Sequence, residues 1–179
     1  MTMRFASSAL AVCLLLSLGS ATAEQRCDVT EFPLSSPTDR FEDNDDGTVT
    51  DTASGLMWMR CSIGQSWQDG GCAGEPTTYD WASAQTVAKG INTDGSLFFS
   101  DWRVPTLRDL AMIIERQCED PRINLSVFPG TPSALYWTAT SRPGDDSTDT
   151  VYALSFGPDG VLRAPKDELH YVRLVRAAR

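Results

Sequence analysis

The chain has a single histidine, His170, and no Gly-x-Ser-x-Gly motif. A Ser-His-Asp or Cys-His catalytic arrangement would have to recruit that one ring, which sits between Leu169 and Tyr171 in an expected strand. The two absences argue against a hydrolase of the triad kind. Past residue 23 no apolar run approaches the about 20 residues that a bilayer span needs. There is no internal repeat and no low-complexity tract, which excludes a solenoid. Positive charge is scarce: 15 Lys and Arg against 24 Asp and Glu give a formal net charge of -9. Such a surface repels phosphate backbones, so nucleic acid is not an expected partner.

What is present begins with an export signal. Arg4 precedes an apolar stretch, Ala9 to Leu18, which ends in Gly19, Ser20 and the small-residue triplet Ala21-Thr22-Ala23. That order predicts a secretory signal peptide over residues 1–23, cut after Ala23. Cys13 leaves with it. The expected location is periplasmic or secreted, with no transmembrane segment after cleavage. Cys27, Cys61, Cys72 and Cys118 remain, an even number in an oxidising compartment, so two disulfides are expected. Three pairings exist. Cys61 and Cys72 flank a Gly-rich loop and are close in sequence, which leaves Cys27 for Cys118. The spacings do not form the paired short knuckles of a zinc site.

Residues 24–39 read as an extended N-terminal segment with Pro33 and Pro37, and residues 40–179 as one domain. Asp46-Gly47 marks a tight turn before a strand at Thr48-Val49-Thr50, and Leu56 to Met59 reads as a buried strand. Ser62 to Pro76 reads as a long polar loop. A helix is expected from Thr77, with Thr77 as cap, Asp80 answering it and Gly90 as the stop. A second helix is expected from a Thr106 cap with Asp109 as its partner. Its apolar stripe is Leu107, Leu110, Ile113 and Ile114, with Cys118 at its end. Tyr136–Thr140, Val151–Phe156, Val161–Arg163 and Tyr171–Val175 read as strands of an antiparallel meander. Strands, two helices, then strands argue for α+β: two helices packed on antiparallel strands, with disulfides.

The candidate site residues are few. Asp43, Asp45 and Asp51 crowd an acidic segment with Gly47, part of the look of a calcium loop. The twelfth position from Asp43 is Ser54, where an EF-hand places a bidentate glutamate. The alternative is a polar hairpin whose aspartates bond their own turn. Trp67 lies in the long loop, where an aromatic face can stack on a sugar ring or pack locally. Trp58, Trp81, Trp102 and Trp137 fall in expected elements and read as core. Arg163 and Lys166 belong to a basic tail with His170, Arg173, Arg176 and Arg179. That tail is either a local anion site or a patch answering the acidic segment within the fold. No catalytic residue is nominated.

The segments Arg40-Phe41-Glu42-Asp43-Asn44-Asp45-Asp46-Gly47-Thr48-Val49-Thr50-Asp51, Gly55-Leu56-Met57-Trp58, Asp101-Trp102-Arg103-Val104-Pro105-Thr106 with Leu110, Tyr136-Trp137-Thr138 and Tyr171-Val172-Arg173-Leu174-Val175-Arg176 follow one another in a familiar order. Together they resemble the Lcl C-terminal domain family of bacterial exported proteins. The resemblance implies a domain long catalogued as of unknown function, whose founding member is a surface adhesin that binds sulfated polysaccharides and assembles as a trimer. The Trp-Arg-Val-Pro-Thr helix start also resembles the C-type-lectin-like fold of formylglycine-generating enzymes. Thiol chemistry of that kind is disfavoured, because all four cysteines of the processed chain are expected in disulfides.

The expected function is an exported, non-catalytic binding or adhesion module of the bacterial envelope or cell exterior, recognising glycans or polyanionic polymers. An envelope enzyme acting on glycans or thiols is the alternative. A structural partner domain that assembles with other envelope proteins is a third reading, and a homotrimer is the oligomer considered. Calcium is the one cofactor considered.

Overall fold

The structure is a computed structural model that describes residues 24–94, 98–141 and 149–178. The expected leader and Arg179 lie outside them. In chain order the elements are β1 (Arg26–Cys27), β2 (Phe41–Asp43), β3 (Thr48–Asp51), β4 (Leu56–Met59), β5 (Ser66–Gln68), β6 (Gly71–Ala73), β7 (Thr78–Tyr79), α1 (Trp81–Asp94), α2 (Leu107–Met112), β8 (Cys118–Glu119), β9 (Leu135–Trp137), β10 (Thr150–Ser155), β11 (Val161–Pro165), β12 (His170–Tyr171) and β13 (Val175–Ala177). The fold is α+β. No described helix is long and apolar enough to cross a membrane.

Two sheets share the core. One runs β11-β10-β9-β12-β7 and the other β13-β4-β3-β2. Pairing is antiparallel except where Tyr171 of β12 lies parallel to Tyr136 of β9. The period of two along a strand sends alternate residues to opposite faces. Trp58 pairs with Val49 and Val175, and all three enter one core with Phe128, Tyr136 and Leu154. Their neighbour Met57 turns to a second core with Trp137, Ala153, Trp102 and α1's Ala84 and Ala88. Each large side chain fully buried this way contributes about 1.5–3 kcal/mol.

The second helix starts as expected. The Thr106 hydroxyl accepts from the Asp109 amide at 3.1 Å, and Asp109 Oδ2 accepts from the Thr106 amide at 2.8 Å. It stops at Met112, however, and Cys118 lies in a separate strand paired with β1. The first helix departs at both ends. Thr77 does not cap it; its amide donates to Ile63 O at 2.8 Å. Tyr79 is drawn into pairing with His170, so the helix begins later. Asp80 is the cap, accepting from the Ser83 amide at 2.7 Å. Gly90 does not end it. The helix continues to Asp94, and Asn92 exchanges two hydrogen bonds with the Trp102 backbone at 2.8 and 2.9 Å, a tertiary clamp that outweighs a weak helix former. The expected loop from Ser62 to Pro76 holds the hairpin β5–β6.

The N-terminal segment is fastened along its length. Disulfides join Cys27 to Cys118 and Cys61 to Cys72, across sequence separations of 91 and 11. Gln25 Nε2 donates to Pro121 O and Ile123 O. Asn124 Nδ2 donates to Ser36 O and Thr38 Oγ1, both at 3.0 Å. Glu115, fully buried, accepts from the amides of Ser35, Ser36 and Gln117 at 3.0, 2.7 and 2.9 Å. Burial pushes this carboxyl up, but those N–H donors and the Ser35 hydroxyl outweigh it and hold it below its ordinary value.

Two outcomes follow. Reducing both disulfides costs about 2–4 kcal/mol per bond, read as a lower melting temperature with reductant; an unchanged temperature would contradict this. A depressed folded pKa means that the Glu115 stabilisation is present above the ordinary value of 4.5 and lost as pH falls through the folded value. Glu115→Gln is therefore less stable than the parent by about 1–3 kcal/mol at neutral pH, and urea titrations show the gap closing in acid. A gap that is constant with pH would contradict the assignment.

Candidate functional site

A groove of about 620 Å³ opens where three loops meet β12. The turn after β6 supplies Glu75 and Pro76. The loop after β8 supplies Asp120, Pro121 and Leu125. The loop before β9 supplies Thr131, Pro132 and Ser133, and Tyr171 adds a partly buried ring.

Each wall is fixed from behind. The Cys61–Cys72 bond anchors β6. Gln65 holds the turn, accepting from the Ser62 amide at 3.2 Å and donating to Gly74 O at 3.3 Å. Gly64 adopts a φ of +99°, and a Cβ there would collide with Glu75 O and the Thr77 backbone, so only glycine fits. The Ser133 hydroxyl donates to Asp120 Oδ1 at 3.0 Å. The Tyr171 ring rests on Tyr136 with centroids 5.6 Å apart.

Beneath the groove lies Arg173, fully buried. Its guanidinium donates to Met59 O at 2.8 Å, to Arg60 O, to Ser62 Oγ at 3.3 Å and to Thr131 Oγ1 at 2.7 Å. It also sits 4.9 Å from the centre of the Phe128 ring. The Tyr136 hydroxyl shares a 2.6 Å hydrogen bond with Ser62 Oγ. Burial pushes the Tyr136 phenol up, so it stays neutral. Burial also pushes the Arg173 guanidinium down, a shift that Tyr136 opposes. An arginine still keeps its proton.

The site residues nominated from sequence lie elsewhere. Trp67 is half-buried in β5, 4.0 Å from the Arg60 guanidinium and packed on Gly47. It does not border the groove. Arg163 donates to Thr150 Oγ1 at 2.7 Å, and Lys166 lies 5.2 Å from the Trp81 ring centre. The rest of the basic tail is divided. Arg173 and Arg176 are interior, with Arg176 held by Asp101 at 2.6 Å. His170 contacts Glu168 at 3.1 Å and stacks near Trp137. Sequence reasoning did not nominate Glu75, Asp120 or Tyr171 as site residues. Only the turn residues around them carried a local signal.

The acidic segment is a polar hairpin. Asp43 Oδ2 accepts from Arg60 at 2.6 Å, and its Oδ1 accepts from the Asp45 amide at 3.0 Å. Asp51 is fully buried and accepts from Arg40 Nε at 2.6 Å, from the Ser54 hydroxyl and from the Ala53 amide. Burial alone would raise its pKa; Arg40, Ser54 and Ala53 hold it down. Among the described residues no three His, Cys, Asp or Glu side chains converge on a metal-sized point. The carboxylates of Asp43 and Asp51 are thus spent on the fold, to which Asp45 contributes its backbone N–H. The melting temperature is expected to be the same in millimolar calcium as in chelator, and a rise of several degrees with calcium would contradict these pairings.

The family profile of the Lcl C-terminal domain matches residues 47–176. No curated protein matches the chain. The matched span runs from the Gly47 turn into β13, and so contains most of the core that both sheets share, the groove and Arg173. The chain belongs to the Lcl C-terminal domain family.

Proposed function

We propose that the chain is an extracytoplasmic, non-catalytic binding module and that its ligand is a glycan seated in the groove. The observation that carries this is the chemistry of the groove. One aromatic face, Tyr171, stands beside two carboxylates, Glu75 and Asp120, on walls fixed by a disulfide and by Arg173. A sugar ring offers a C–H face for an aromatic and hydroxyls for carboxylates, so the set is complementary to it. The cavity is of a size that holds a small ligand without rearrangement. Two disulfides support an oxidising compartment.

A second reading, a glycan-cleaving enzyme, draws on the same pair of carboxylates. Thiol chemistry has less support, since Cys27, Cys61, Cys72 and Cys118 are all in disulfides.

The test is a glycan array followed by calorimetry on the whole chain. At least one oligosaccharide is expected to bind without being cleaved. Tyr171→Ala is expected to weaken it up to about tenfold while the near-ultraviolet circular dichroism spectrum stays native. Binding that Tyr171→Ala leaves untouched would contradict the groove as the site. Turnover would move the assignment to the enzyme.

A further inference from the structure

We infer that the glycan taken by this groove carries free amino groups, as a de-N-acetylated hexosamine chain does, and is neither fully acetylated nor sulfated. The inference rests on the groove being the ligand site. It follows from which hydrogen-bonding groups the walls have left to offer.

Three of the side-chain donors around the groove are already engaged, and the Tyr171 phenol is the fourth. Gln65 Nε2 donates to Gly74 O, the Ser133 hydroxyl donates to Asp120, and the Thr131 hydroxyl donates to Phe128 O at 2.7 Å. Pro76, Pro121 and Pro132 contribute no backbone N–H at all. The Arg173 guanidinium lies behind Thr131 and is fully buried, so its charge does not reach a ligand as a contact.

The acceptors, by contrast, are unspent. Glu75 is exposed, and among the described residues it forms no ion pair. Asp120 receives Ser133 on Oδ1, which leaves Oδ2 for a ligand. Among the described residues these two carboxylates are the only formal charges that border the groove. Walls whose charged groups are both carboxylates select a ligand that brings cationic donors. Carboxylates bond an ammonium more strongly than a hydroxyl. Sulfate groups are pure acceptors of the same sign as the walls, so a sulfated chain is the worst match. A basic peptide would satisfy the charge. Its main-chain carbonyls, however, would meet no N–H at Pro76, Pro121 and Pro132, and it offers no sugar face to the Tyr171 ring, so the glycan is the better occupant.

The test uses the whole chain and four probes in calorimetry: a glucosamine oligosaccharide, its N-acetylated counterpart, a heparin-derived oligosaccharide and an oligolysine peptide. The glucosamine chain is expected to bind at least about tenfold more tightly than each of the others, and less tightly as salt is raised. Glu75→Gln, at an exposed position, and Asp120→Asn are each expected to lose most of that preference while keeping residual binding of the acetylated chain. Equal binding of the amino and acetylated chains, both weakened by Tyr171→Ala, would overturn the amine inference and leave the groove as a glycan site. No binding of any oligosaccharide would overturn both. Tightest binding of the sulfated chain, or of the peptide, would overturn the inference outright.

Discussion

The Arg173 guanidinium joins three stretches of chain that are far apart in sequence. It donates to the carbonyls at the end of β4, to the Ser62 hydroxyl and to Thr131 in the loop before β9. Taking a cation out of water costs several kcal/mol even after relaxation, and here no carboxylate offsets it among the described ion pairs. The compensation comes from carbonyl and hydroxyl oxygens and from the Phe128 ring face. Its Nε finds no partner among the described residues, which adds to the cost. A group this expensive to bury fixes the geometry of whatever satisfies it. One of those partners, Thr131, lines the groove, and another, Ser62, is paired with the Tyr136 on which Tyr171 rests.

Other arginines repeat the theme with carboxylates. Arg40 holds Asp51, Arg60 holds Asp43 and Arg176 holds Asp101. Arg60 also donates to the carbonyls of Ser126 and Val127, and so ties the acidic hairpin to the segment that carries Phe128. Two early aspartates thus meet nearby arginines, while the tail's Arg176 turns to Asp101 and Arg173 to carbonyl and hydroxyl oxygens. What remains on the groove is acidic. That separation between charges used for structure and charges left for contact underlies the proposed ligand chemistry.

Local signals were legible in the sequence where their physics is local. The Thr106–Asp109 capping box needs only four consecutive residues, and it formed. The Gly47 turn needed a positive φ, and glycine supplied it at +86°. The short separation of Cys61 and Cys72 settled one disulfide and left the other by elimination. The misses were tertiary. Thr77 had the composition of a cap, but its amide was taken by Ile63. Gly90 had the look of a stop, but Asn92 was clamped to Trp102. Trp67 has the chemistry of a sugar platform, and the structure sets it beside Arg60 and Gly47, away from the groove. The groove is assembled from positions near 75, 120, 131 and 171, and no spacing rule links residues so far apart. Arg173 looked like one charge of a basic tail, and its burial depends on contacts that sequence does not display.

The central claim is that the buried Arg173 cation organises this half of the molecule, and Arg173→Met tests it most directly because the side chain keeps its length and loses its donors. The measurement is urea unfolding of the variant beside the parent chain. Losing Arg173 leaves the Met59 and Arg60 carbonyls buried without a donor, so the account predicts a loss of more than about 2 kcal/mol. Replacing a buried charge by an apolar group is often neutral or stabilising when that charge organises nothing. A variant as stable as the parent, or more so, would contradict the account.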